Sequence, residues 1–420
     1  MNRKNQLGKQ ARINMEKQAL NGVKVLDFGW ALAGSLTGKL LGDHGAQVVK
    51  VESTVHIDFS RTNRMVSMSS PTNPDDKPWF TYYNTSKYGM GLNLKHPRAR
   101  EVITRFYRWA DVVSENFTPG TLNKLGLDYE YAKMIKPDII MVGISAYGQT
   151  GPLAREFGTD AMGSSQSGHR YLTGWPDRSP VSPTTVPYGD LVLPLFTVLA
   201  IVSALDYRRR TGKGQYIDAS MLDVMVQKTT PAILDWVANE RLETRSGNRV
   251  SHAAPHGAFP CKGEDRWCAI AVFTEDEWKA FCQAIGDPPW TKETRFATLQ
   301  LRKENEDILE NFVGQWTKQH TAEEVMHLLQ ENGVAAGVVQ NARDLLESDP
   351  QMKERQYFVP MEHPAIGTFG HPNPPFKLLK SKAQMRTSPC LGEHTIYVCT
   401  EFLGMTDDEF IELENEGVFR

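Results

Sequence analysis

Residues 22–52 read GVKVLDFGWALAGSLTGKLLGDHGAQVVKVE, and this stretch decides the fold. Its first part, VKVLDF at 23–28, has the apolar density of a buried strand; GSLTGKLLGD at 34–43 fits a helix, and QVVKV at 47–51 is a second strand. A helix between two strands returns the chain to the same edge, so the strands run parallel. The order repeats downstream, with a helix over about 97–109, a strand at 111–113 and a third apolar strand at 139–144. Alternation at this spacing predicts an α/β fold, a largely parallel sheet covered by helices. Ligands on such sheets bind beyond the carboxyl ends of the strands, which directs attention to the loops after Phe28 and after Ile144.

The texture changes at 239–252 (NERLETRSGNRVSH) to polar chain. A smaller α+β domain is expected at 250–335, with a strand near 267–272 and helices near 275–284, 305–318 and 322–332. Residues 21–240 then form the first part of a large domain, and polar, basic residues 1–20 a flexible N-terminal arm. A chain of 420 residues with 40% hydrophobic content is long enough for two cores. A formal charge of −3 gives no reason to expect nucleic acid or a membrane surface as partner. Five cysteines without a CxxC pair and an N-terminus without an apolar core suit a reducing, cytoplasmic setting.

Common catalytic words are missing. The loop FGWALAGSLTG does not have the G-x-G-x-x-G spacing of a dinucleotide site, and there is no P-loop or G-x-S-x-G elbow. His252 and His256 are four apart, but Pro255 interrupts any helix that would align them, so no metal site is expected. His169, beside Tyr171, is a pocket candidate. The apolar run 191–205, broken by Pro194, Thr197 and Ser203, reads as a buried helix too short to span a bilayer. It ends in RRRTGKGQ at 208–215 and is preceded by Asp190. Pro194 suits a first helical turn, so the amides and dipole of that turn are expected to hold Asp190 ionised. In isolation such an aspartate is a helix cap.

Six words in order resemble the family III CoA-transferases, the CaiB/BaiF group: the opening at 22–52, NTSKYGMGLNLKHPRAREV at 84–102, SENFTPGTLNKLGLDYE at 114–130, GISAYGQTGP at 143–152, TGKGQYIDASMLD at 211–223 and SGNRVSHAAPHGAFPCKG at 246–263. The resemblance implies a split Rossmann-like large domain, to which residues 345–420 return, and an interlocked dimer of related chains. It implies CoA thioesters as substrates with no permanently bound cofactor. Asp190 takes the place of the family's nucleophile, which carries first an acyl group and then CoA. The CoA contacts carry over to Lys87, Asn116, Phe117 and Lys124, and the loop at Tyr147 and Gly148 lies among them. Trp30, Leu32, His169 and Tyr188 are the candidates for the substrate pocket.

Four positions depart from the family pattern. Leu32 stands where a formyl-CoA transferase has glutamine, Ser53 and Ser145 stand where basic residues are found, and Thr159 replaces the histidine of the racemase branch. These disfavour oxalate, formate and racemisation, and they favour a more apolar acyl pocket. DFGWALAGSLTGKLLGDHGA and QYFVPMEHPAIGTFGHPNPPF are similar to the benzylsuccinate CoA-transferase branch, in particular its F-type subunit. That implies succinyl-CoA as donor, (R)-benzylsuccinate as acceptor, anaerobic toluene degradation as the setting, and a homologous second subunit. Three other readings stay open: a homodimeric transferase for another aryl or 2-hydroxy acid, a 2-methylacyl-CoA epimerase, and a non-catalytic subunit of a heteromer.

Overall fold

A computed structural model of the chain describes residues 18–62, 73–182 and 187–420. Most of the expected N-terminal arm lies outside them. Strands β1 (Lys24–Phe28), β2 (Gln47–Glu52), β3 (Lys87–Gly91), β4 (Val112–Glu115), β5 (Ile140–Ser145) and β6 (Tyr216–Ser220) form one parallel sheet in the order β3-β2-β1-β4-β5-β6. Helix α1 (Ala33–Asp43) makes the first crossover, as the opening words predict. β3 and β6 went unread as strands because KYGMG and YIDAS are short and poor in the branched residues that mark a strand.

Both faces of the sheet are covered, which explains its continuous apolar strands. Leu26, Phe28, Val49, Val51, Val113 and Met141 point to one face and pack with Val102, Ile103 and Phe106 of α3 (Ala99–Trp109). Val25, Val48, Val112, Ile140 and Val142 point to the other, against Leu41 of α1 and Leu193 and Ile201 of the long helix α5 (Tyr188–Thr211). Between α1 and α3 comes the short α2 (Pro78–Tyr83), and between α3 and α5 comes α4 (Asp160–Gln166).

Helix α5 spans Tyr188–Thr211, three residues longer at its start than the apolar run suggested. Its 24 residues have a mean hydropathy of 1.9 over the most apolar window, so by length and composition it is able to cross a membrane, contrary to the expectation from 191–205. Here it lies along α1 and the β5–β6 edge. Pro194 therefore sits inside the helix, not in its first turn. Arg208 anchors the far end to Asp111, and Gly212 at φ +72° closes it in the left-handed conformation that glycine adopts without strain. Helices α6 (Met221–Lys228) and α7 (Thr230–Asn239) follow β6.

The described residues divide into two compact units, one within 18–170, 182, 187–242 and 353–420, the other of 171–181 and 243–352. The smaller unit has an antiparallel sheet, β7 (His256–Pro260), β8 (Trp267–Ala271) and β9 (Ala335–Val338), in that order. Helices α8 (Glu275–Ala284), α9 (Glu306–Thr317) and α10 (Ala322–Glu331) cover it, and Phe259, Ile270, Phe281, Leu309 and Val325 meet in its core. Thr274 and Thr321 each form a reciprocal capping box at the start of α8 and α10, which sets where these helices begin.

Candidate active site

From β1 the chain crosses over to β2 and β3; from β4 it runs the other way, to β5 and β6. Loops that part at such a switch point leave a crevice beyond the carboxyl ends of the two strands. Asn116, just after β4, bridges it. Its Oδ1 accepts from the Trp30 N–H at 2.7 Å and its Nδ2 donates to the Trp30 carbonyl at 3.0 Å. Both polar groups of an irregular backbone position are thereby paired. Gly34 makes the approach possible, since a Cβ there would lie 2.6 Å from Asn116 Oδ1.

Two buried ion pairs hold the same loop from below. Asp58 accepts from the Ala31 N–H at 3.1 Å through Oδ1 and from Lys50 Nζ at 3.0 Å through Oδ2, and Lys50 also donates to the Gly29 carbonyl. Ala31 stands at φ +54°, a strained conformation for a residue with a Cβ, which these contacts overcome. Burial opposes the charge on Lys50, but Asp58, Glu52 and Asp27 outweigh it and leave the ammonium pKa raised. Asp27 accepts from the Gly29 N–H at 2.8 Å and from Lys87 Nζ at 2.7 Å.

Lys87 corrects an expectation. It is fully buried, and Nζ donates to Asp27, to the Ser35 carbonyl at 2.8 Å and to Asn84 at 2.9 Å. An ammonium has three protons and all are committed, so Lys87 has none left for a ligand. Burial also lowers its pKa, to about 8, against the pull of Asp27. Its place is in the frame beneath the loop.

Phe117 and Lys124 do line a cavity, of about 310 Å³, together with Trp30, Ser53, His56 and Lys95. Trp30 meets Phe117 edge-on, with ring centroids 6.3 Å apart. Trp30 thus falls among the expected CoA contacts and not beside His169 and Tyr188. Ser53 donates to the Arg420 carbonyl at 2.6 Å. Leu32 is buried at the start of α1. Tyr147 and Gly148 lie in the loop after β5, where Gly148 takes φ +84° and Asp218 accepts from the next N–H, that of Gln149, at 2.9 Å.

Asp190 is the third residue of α5, and the N-cap is Pro187, so it is not the capping residue. Pro194 has no N–H to give to the carbonyl four residues back, which is that of Asp190. Among the described residues nothing donates to the Asp190 carboxylate. Burial, and then the charge of Asp160, push its carboxyl up to about 7. This corrects the expectation that the helix start holds it ionised: desolvation in a largely closed position outweighs the dipole of the first turn.

The residues around it were only partly legible. Asp160, buried at the start of α4, accepts from the Gly189 N–H at 2.5 Å and so fixes the first turn of α5. His169 faces Tyr188 at 5.3 Å, and burial lowers its pKa, favouring the neutral ring. Tyr83, at the end of α2, is buried, and its phenol pKa is raised by burial and by the charge of Asp190. Tyr83 escaped notice because it lies about a hundred residues away and only tertiary folding brings it near. Thr159, in the position of the racemase histidine, turns its hydroxyl to Met162 Sδ at 3.0 Å.

The site thus has a half-buried carboxylate without a hydrogen-bond donor among the described residues, aromatic neighbours, and a clamped loop at the switch point of the sheet. A sequence model of CoA-transferase family III matches residues 20–395. The chain is 30% identical over 400 residues to the succinyl-CoA–D-citramalate CoA-transferase of Chloroflexus aurantiacus, across 95% of this chain and 98% of that protein. It is 29% identical over 402 residues to the succinyl-CoA–L-malate CoA-transferase beta subunit of the same organism, across 95% of this chain and 98% of that one. The crystal structure of a CAIB/BAIF family protein from Brucella suis is similar with a TM-score of 0.84 and 31% identity, over 92% of this chain and 100% of that one. The chain belongs to CoA-transferase family III and is a transferase enzyme acting on CoA thioesters.

Proposed function

We propose that the enzyme moves CoA from succinyl-CoA to an aryl-substituted dicarboxylic acid, (R)-benzylsuccinate, through a covalent intermediate on Asp190. The observation that carries this reading is Asp190 itself: half-buried, without a donor among the described residues and with its carboxyl pushed up to about 7. A carboxylate stripped of hydrogen bonds is a stronger nucleophile than one in water, because attack does not first have to displace a solvation shell. Asp190 adds to the donor thioester carbonyl and expels CoA thiolate, leaving a mixed anhydride. The thiolate returns to the aspartyl carbonyl, releases succinate and forms an enzyme thioester. The acceptor carboxylate attacks that thioester in the same way, and the thiolate then takes the acceptor's acyl group and frees Asp190. Each step exchanges one acyl bond for another, so little net driving force is needed.

The names of the relatives support a dicarboxylic acceptor, since citramalate and malate are both four-carbon diacid frames. The aromatic residues Tyr83, coupled to Asp190, and Tyr188, in the same first turn and packed on His169, support an aryl substituent. In a succinyl-CoA assay over an acceptor panel, kcat/KM for (R)-benzylsuccinate is expected to exceed that for L-malate by at least about tenfold, the worth of one well-buried ring contact. Equal or reversed preference would refute the aryl acceptor and leave the dicarboxylate reading standing.

A pH dependence follows. Only the ionised carboxylate attacks, so kcat/KM rises with pH through about 7 and then levels off. Asp160→Asn keeps an oxygen for the Gly189 N–H but removes a like charge, so the limb moves to lower pH. A limb unmoved in Asp160→Asn would assign the titration elsewhere. The same shift bears on stability. A carboxyl whose folded pKa lies above 3.8 binds more protons in the native than in the unfolded state, so stability falls as pH rises from about 4 to 7.

A second, homologous chain completes the proposal. Helix α5 exposes Leu195, Leu199 and Val202, and α7 exposes Ile233, Leu234, Trp236 and Val237, with no residue of α7 buried. A helix apolar on its outer side has its partner elsewhere, and a related chain in an interlocked dimer supports burial of both helices.

A further inference from the structure

On the α3 face of the sheet, the β4–β6 edge is polar where the rest is apolar. Register pairs Val113 with Met141, Glu115 with Gly143, Met141 with Tyr216 and Gly143 with Asp218, so these residues share one face. At β1 and β2 that face carries leucine, phenylalanine and valine; at this edge it carries Glu115, Tyr216 and Asp218. A cavity of about 1210 Å³ opens over Glu115 and Tyr216, with Gln149, Lys124 and Arg155 also in its wall, and neither Asp218 nor Asp190 is part of that wall.

Three polar atoms converge over Gly143. A Cβ at that position would collide with the Tyr216 hydroxyl and stand 2.8 Å from Gln149 Nε2 and 2.9 Å from Glu115 Oε1. Glu115 is 6% exposed; its Oε2 accepts from the Phe117 N–H at 2.8 Å, while Oε1 has no donor among the described residues. Gln149 Nε2 is buried with no acceptor, though its backbone is pinned by two bonds to Asp218, at 2.9 and 3.0 Å. A buried donor left without an acceptor is destabilising, and a ligand oxygen removes that cost. Asp128, also in the wall, is spent on the Tyr131 N–H and on Asn123. Lys124 and Arg155 have no ion pair among the described residues.

We propose that the cavity beside Glu115, Gln149 and Tyr216 is a binding site for a small organic carboxylate, whose oxygens accept from Gln149 Nε2 and the Tyr216 hydroxyl, with the Glu115 carboxyl next to them. Lys124 and Arg155 supply positive charge at the rim. A carboxylic acid facing a carboxylate makes a short, charge-assisted hydrogen bond, stronger than a neutral pair. Burial pushes the Glu115 carboxyl up to about 7, which supplies that proton in mildly acidic solution. The other charged groups at the site are Asp218, engaged by the Gln149 N–H, and Asp128, Glu130, Lys124 and Arg155 of the cavity wall. The site stands independently of the reaction proposed for Asp190.

The test is calorimetric titration of sodium succinate, at about pH 6 where carboxylic acids raised by burial keep their proton, into full-length Asp190→Ala protein. One bound succinate is expected. Adding Gln149→Leu, on a partly exposed loop, weakens it by about tenfold or more, and adding Gly143→Ala abolishes it. Inorganic phosphate is expected to bind at least about tenfold more weakly, because its tetrahedral oxygens do not match the planar carboxylate that the donors face. No succinate bound to the Asp190→Ala protein, an affinity unchanged by Gln149→Leu, or phosphate bound as tightly would each overturn the assignment. If Gly143→Ala does not fold, the Gln149→Leu comparison decides.

Discussion

Asp190→Asn is expected to lower kcat by about 10⁴-fold or more, the loss seen when a covalent nucleophile is removed, with little change in the binding of the CoA thioester. The substitution keeps the size and shape of the side chain in the first turn of α5 and removes only the attacking oxygen. Because no residue described here donates to the carboxylate, an amide in its place breaks no existing hydrogen bond. Hydroxylamine supplies a direct readout. Protein mixed with succinyl-CoA and quenched with hydroxylamine is expected to carry a hydroxamate on Asp190, located by peptide mass spectrometry, because anhydride and thioester are trapped while an ordinary carboxylate is inert. Full turnover in Asp190→Asn would place the chemistry in another chain and make this one the non-catalytic subunit.

Lys87→Met is expected to cost about 3–5 kcal/mol of stability, the usual penalty for leaving one partner of a buried ion pair unpaired. Lys87 and Asp27 have no exposed side-chain surface, and the lysine's other two protons serve Ser35 and Asn84. The stranded Asp27 carboxylate would keep only its bond from the Gly29 N–H. The measurement is urea unfolding, with a lower midpoint at unchanged slope. The double variant Asp27→Asn/Lys87→Met is expected to recover more than half of the loss, since removing a whole buried pair costs far less than breaking it. If Lys87 instead served a ligand at the surface, the single variant would unfold as the wild type does, and only the KM for the CoA substrate would rise.

The two predictions separate what each kind of residue shows in a linear chain. Asp190 was legible because its surroundings, the apolar run and RRRTGKGQ, are contiguous words. Its electrostatics were not legible: the start of α5 lies at Tyr188, and the proximity of Asp160 and Tyr83 comes from packing. Lys87 shows the converse. The word NTSK gave a place in the family pattern, but whether a lysine faces solvent or the core depends on which way β3 turns it. Trp30 moved to the Phe117 and Lys124 cavity for a similar reason, since Asn116 holds its backbone from the far side of the switch point.

By itself the sequence determined the parallel α/β sheet, because strands buried on both faces must be continuously apolar and helices between them must alternate. It also determined the starts of α8 and α10, because a capping box is a contact between residues three apart. Tertiary structure alone decided that β3 and β6 complete the sheet, that Lys87 is spent on Asp27, and that Glu115, Gln149 and Tyr216 converge over a glycine. The division follows from range. Hydrophobic period and capping act over a few residues and are written locally, whereas burial and charge coupling arise between residues that only the folded chain brings together.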